Sequence, residues 1–198
     1  HFMRPASPPK SPQKNPVVEG VAIMGRIACL GKDVLQLIKL GGSGRIELYN
    51  QQKGRVDLFL DIVNGGQKPK ASIIEPFMER KDVYPLIMEQ EKLPWLHIKE
   101  NVQLLVMDSF AELTDQKFTH RKEGWSFCSH YTDLIHTEAF DSLFENMGHI
   151  PINRLAQTYW DFFAWFENNY PEAHVAYIHF PTKLDDRKEF KKRYESIR

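Results

Sequence analysis

The stretch Val17–Lys39, VVEGVAIMGRIACLGKDVLQLIK, decides how this chain is read. Val21, Ala22, Ile23 and Met24 follow one another without a polar break, the near-continuous apolarity of a parallel strand covered on both faces. The small and polar residues of Gly25–Asp33 come next, and beyond Asp33 the positions Val34, Leu35, Leu37 and Ile38 recur at helical spacing. Gly41 and Gly42 suit C-terminal caps for that helix. A strand that turns directly into a helix is the unit of open α/β sheets. Its turn aims backbone N–H groups and the positive end of the helix into the crevice beyond the strands' carboxyl ends.

Working outward, a second strand is expected at Arg45–Tyr49. Arg55–Val63 fits a strand or a helix equally, because Val56, Leu58, Leu60 and Ile62 alternate while Phe59 and Val63 break the alternation. Asn64-Gly65-Gly66 is a turn signal, and a helix is expected over Val83–Glu91. Asn101–Met107, NVQLLVM, reads as a strand whose carboxyl end is polar, Asp108-Ser109-Phe110. Helices are expected over Thr132–Met147 and Asn153–Asn168. In the second, Tyr159, Trp160, Phe162, Phe163, Trp165 and Phe166 read as packing surface against a sheet. A last strand at His174–Phe180 and a closing basic helix at Lys188–Arg198 complete the pattern. Strands alternating with helices predict a three-layer α/β/α sandwich with a mainly parallel central sheet.

At 198 residues the chain suits one core, so residues 17–198 are expected to form a single domain. Residues 1–16 carry five prolines among serines and lysines and read as an extended linker or tag remnant, pointing to other domains of a longer polypeptide as possible partners. Lys+Arg and Asp+Glu both number 26, so no global field favours nucleic acid, and no apolar run is long enough for membrane insertion. The two cysteines, Cys29 and Cys128, read as free thiols in a reducing compartment, and with no signal-peptide core the expected location is cytoplasmic.

The first turn resembles the elbow of SGNH (GDSL-like) hydrolases and acyltransferases. In divergent members the first strand ends in Gly-Ser-Cys, followed by a basic residue and Asp; here the string is Ile27-Ala28-Cys29-Leu30-Gly31-Lys32-Asp33, with Ala28 at the nucleophile position. The resemblance implies either a naturally inactive relative or a serine replaced by alanine. Asp108, in Val106-Met107-Asp108-Ser109, matches the polar group that the family sets beside its oxyanion hole. The family's Asp-x-x-His pair lies near the chain end, whereas the string here, Asp133-Leu134-Ile135-His136, is in mid-chain; His179, with Asp185 or Asp186, is the alternative base. The resemblance implies a flavodoxin-like fold, a small-molecule or carbohydrate ester as substrate, and Gly25, Cys29 and Ser109 as oxyanion or substrate-binding positions. It implies no cofactor. A hydroxyl nucleophile needs a base within hydrogen-bond reach and donors facing the oxyanion, and Ala28, Asp108 and His179 would meet at one sheet edge.

Other readings stay beside these. Cys29 reads as buried filler, with a nucleophile paired with His179 as the alternative. Ser109, in a string that resembles Gly-Asp-Ser-Leu, is a rival nucleophile, and His136 has the ordinary role of a packed imidazole. His130 near Cys128 lacks the companions of a zinc site, so no metal is expected. Gly41–Gly44 lacks the ending of a phosphate loop and reads as a turn. Against an esterase or acyltransferase stand a non-catalytic binding module and an anion site for nucleotides or phosphosugars at Gly25–Gly31.

Overall fold

A computed structural model describes residues 21–26, 46–98, 101–178 and 187–197. Ala28, Cys29, His179, Asp185 and Asp186, the helix expected after Asp33 and the Gly41–Gly44 turn lie outside these residues, as does the 1–16 segment. The chain is α/β. Four strands, β1 (Val21–Arg26), β2 (Ile46–Asn50), β3 (Asn101–Asp108) and β7 (His174–Ile178), form a parallel sheet in the order β2-β1-β3-β7. The register sets Gly25 level with Asn50 on one side and Val106 on the other, so β1 is central.

Helices α1 (Val56–Val63) and α6 (Ile152–Asn169) cover one face of this sheet. Ala22, Met24, Val102 and Met107 are buried with Val56, Leu58, Phe59 and Ile62 of α1 and with Leu155, Phe162 and Phe166 of α6. The ambiguous segment is therefore a helix, with Phe59 at its centre meeting Trp95, Phe162 and Trp165 edge-on at 5.4, 5.9 and 4.6 Å between ring centroids. Asn64-Gly65-Gly66 ends it: Gly65 has φ +100°, and a Cβ on Gly66 would sit 2.6 Å from the Asp61 carbonyl. Of the aromatic set on α6, Tyr159, Phe162 and Phe166 are buried as expected, whereas Trp160 points outward.

The expected helix over Thr132–Met147 is not formed. A one-turn 3-10 helix at Tyr131–Asp133 is followed by α5 (Glu138–Leu143), which Thr137 caps by accepting from the Phe140 N–H, and then by β6 (Phe144–Gly148). β6 pairs antiparallel with β4 (Asp115–His120), which also pairs antiparallel with β5 (Ser126–His130), giving a second sheet in the order β5-β4-β6. Leu134, Phe140 and Phe144 do not line one helix but converge on Phe118, Trp125 and Phe127 from three separate elements. Helix α3 (Tyr84–Lys92) packs against this sheet, after the short α2 (Ala71–Ile74). Gln90 on α3 behaves like one more strand residue: its amide donates to the Cys128 carbonyl (2.7 Å) and accepts from the Cys128 N–H (2.8 Å).

Arg55 ties α1 to the antiparallel sheet. Its guanidinium holds Asp57 with bonds of 2.9 and 2.6 Å and donates to the carbonyls of Asp115 (3.3 Å) and Gly148 (2.7 Å). Buried Glu112, on α4 (Phe110–Thr114), accepts from the Val56 N–H and the Tyr159 hydroxyl, while Arg193 of α7 (Lys188–Glu195) donates to the carbonyls of Glu112 and Ile150. No helix among the described residues is long and apolar enough to cross a membrane.

Candidate functional site

Open α/β sheets bind ligands beyond the carboxyl ends of strands where the connection reverses direction. From β1 the chain goes to β2 on one side and then to β3 on the other, so the reversal lies between β1 and β3. Gly25 stands at that point, its carbonyl accepting from the Gln51 N–H at 2.7 Å. Asp108 ends β3, and its Oδ1 accepts from the Phe110 N–H at 2.9 Å, which starts α4. Ser109 beside it is fully buried, and its hydroxyl has no hydrogen-bond partner. Among the described residues, therefore, no base is hydrogen-bonded to it.

Beyond β2 and α4 opens a cleft of about 340 Å³ between the parallel and antiparallel sheets, lined on its polar side by Lys53, Arg80, Asp115, His130, Thr132 and Asp133. Phe110, Val83 and Leu86 form its apolar wall. Lys53 is placed by the turn after β2, where Gly54 adopts φ +103° and a Cβ would press to 3.2 Å from Gln90. The Lys53 ammonium lies 2.5 Å from Asp133 Oδ2, 3.5 Å from Ser129 Oγ and 3.8 Å from Asp115 Oδ1. Arg80 reaches to 3.6 Å from the other Asp133 oxygen, and the Asp133 carbonyl accepts from the N–H groups of Glu79 and Arg80, which fixes the rim. Burial pushes the Asp115 carboxyl above the usual range, with Lys53 opposing and Glu112 adding to the rise. An ammonium between two carboxylates, one pushed toward its neutral form, can donate to a ligand oxygen and hold one transferable proton.

The expected pair Asp133 and His136 is not joined. Asp133 is engaged by Lys53 and Arg80, whereas His136 stacks on Tyr131 at 3.7 Å between centroids, with Nε2 2.8 Å from the Tyr131 carbonyl oxygen. The structure brings Asp133 instead to the cleft that Phe110 and Ala111, directly after Asp108 and Ser109, also line. Among the described residues no histidine is hydrogen-bonded to a carboxylate, and no group of three His, Cys, Asp or Glu side chains is arranged to hold a metal. Cys128, next to His130, is buried as a free thiol.

Sequence reasoning missed Lys53, Arg80 and Asp115. For Lys53 a signal existed: Gln51-Gln52-Lys53-Gly54 is a polar run directly after a parallel strand, on the edge where ligands bind. Asp115 carried none, because its strand was not recognised. Comparison of the chain with family models, with curated proteins and with solved structures finds no match.

Proposed function

We propose that this protein is an SGNH-like domain that handles acyl esters, carbohydrate O-acetyl esters among them, as an esterase or acyltransferase. Position 28 is its nucleophile position and, with alanine there, the chain as given is inactive. The observation that carries this reading is the sheet order, in which β1 lies between β2 and β3 and ends, with Asp108 of β3, at the reversal of the connections. In this reading a nucleophile two residues beyond β1 faces that reversal, where acyl transfer calls for backbone donors around a crevice. His179, one residue beyond β7, is the base in this reading. Cys128, buried as a free thiol, accords with a reducing, cytoplasmic setting.

The test is Ala28→Ser assayed with p-nitrophenyl acetate. The expected result is turnover absent from the given protein and abolished by His179→Ala; no gain on restoring the serine removes the nucleophile assignment. One observation favours a second reading, a binding module without chemistry: among the described residues no histidine is hydrogen-bonded to a carboxylate. In that case Ala28→Ser stays inactive although the protein remains folded.

A further inference from the structure

Trp160 is the most exposed large apolar side chain among the described residues, at 71%. It stands on α6 at the lip of a groove of about 360 Å³ lined by Ala156, Tyr159, Trp160 and Phe163 with Ser196 and Ile197. An indole offers roughly 150–250 Å² of surface to bury, and leaving it in water is a standing cost unless something covers it. Helical periodicity sets Arg154, Gln157 and Asp161 along the flank of Trp160 opposite the groove. All three are exposed, and Gln157 donates to Asp161 at 2.8 Å, which holds that carboxylate in place. The Trp160 knob thus stands between the groove on one side and charges of both signs on the other.

We propose that this face is the contact surface of a symmetric dimer, its occupant a second copy of this chain. A two-fold contact is self-complementary: each feature must meet its counterpart on the same patch. An antiparallel pairing of two α6 helices centred on Thr158 meets that condition. It sets Trp160 of each copy over the small Ala156 of the other, at the entrance to the other's groove. It also sets Arg154 within one residue of level with the opposing Asp161, on the same flank, so the rim carries two attractive charge pairs. The chain's equal counts of 26 basic and 26 acidic residues add no long-range repulsion between copies. A contact along an 18-residue helix and its groove is modest, and a dissociation constant on the order of 1–100 μM is expected.

Sedimentation equilibrium of the full chain, from about 1 to 300 μM, tests this directly. The expected result is a mass rising from one chain toward two. Trp160→Ala weakens the dimer at least tenfold or so, as for a central aromatic anchor. Arg154→Asp and Asp161→Arg singly weaken it about three- to tenfold, and their combination restores it to within about twofold, because the swapped charges again face each other. The charge variants are surface changes and keep the test decisive should Trp160→Ala fold poorly. A monomer at every concentration overturns the proposal, as does a dimer indifferent to Trp160→Ala or a charge swap no better than its single changes. A monomer whose Trp160 emission, taken as the difference from Trp160→Phe, resists acrylamide quenching overturns it too, and assigns the groove to a segment of the same chain.

Discussion

Replacing Lys53 by methionine removes an ammonium that serves two buried carboxylates while keeping most of the stem's volume. The side chains of Lys53, Asp133 and Asp115 are 12%, 5% and 4% exposed, so solvent screening offers little relief. What remains for Asp133 is Arg80 at 3.6 Å, and for Asp115 a 3.3 Å hydrogen bond from the Thr114 hydroxyl and the opposing charge of His130. Breaking a buried pair in this way costs about 3–5 kcal/mol near neutral pH. The pH dependence follows from Asp115, whose folded pKa burial raises above the unfolded value. Its contribution to stability is complete below the unfolded carboxylate range and is lost as pH rises through the folded value. Lys53 opposes that rise, so without it the loss deepens, and the variant's deficit grows from acid toward neutral pH. Urea unfolding followed by tryptophan emission at about pH 5 and pH 7.5 measures both numbers. A deficit below about 1 kcal/mol at the higher pH, or one equal at the two, would refute the view that Lys53 neutralises this pair.

Two further outcomes concern the join between α3 and the antiparallel sheet. Gln90→Ala leaves the N–H and carbonyl of Cys128 buried without partners, and a loss of about 2–4 kcal/mol in urea unfolding is expected; a loss under about 1 kcal/mol means that the edge of β5 finds other partners. The Cys128 thiol, pushed up to about 12 chiefly by burial, should resist iodoacetamide in the native protein and react once unfolded. Peptide mass mapping distinguishes it from Cys29, and native labelling within minutes contradicts the burial of this residue.

What the amino-acid order alone determined was the parallel half of the fold. The runs around Val21–Met24, Asn101–Met107 and His174–Ile178 are apolar and β-rich, local properties that need no partner to be read, and each lies in a strand. The Asn64-Gly65-Gly66 stop was equally legible, because only glycine accepts the backbone it requires. The polar Asp108-Ser109 end of β3 was legible too, and it lies at the carboxyl edge of the parallel sheet. Tertiary structure alone decided the rest. Asp115–Gly148 carries short, mixed-polarity strands whose character is set by pairing and by Phe118, Trp125, Phe127 and Phe144 meeting across elements, which no local period records. The polar cleft has the same origin: the β4–β5 pairing brings Asp115 and Asp133 together, and only the packing of the turn after β2 against them places the ammonium of Lys53, 80 residues before Asp133, beside both. A side chain's charge is written in the chain; what that charge faces is a property of the packed whole.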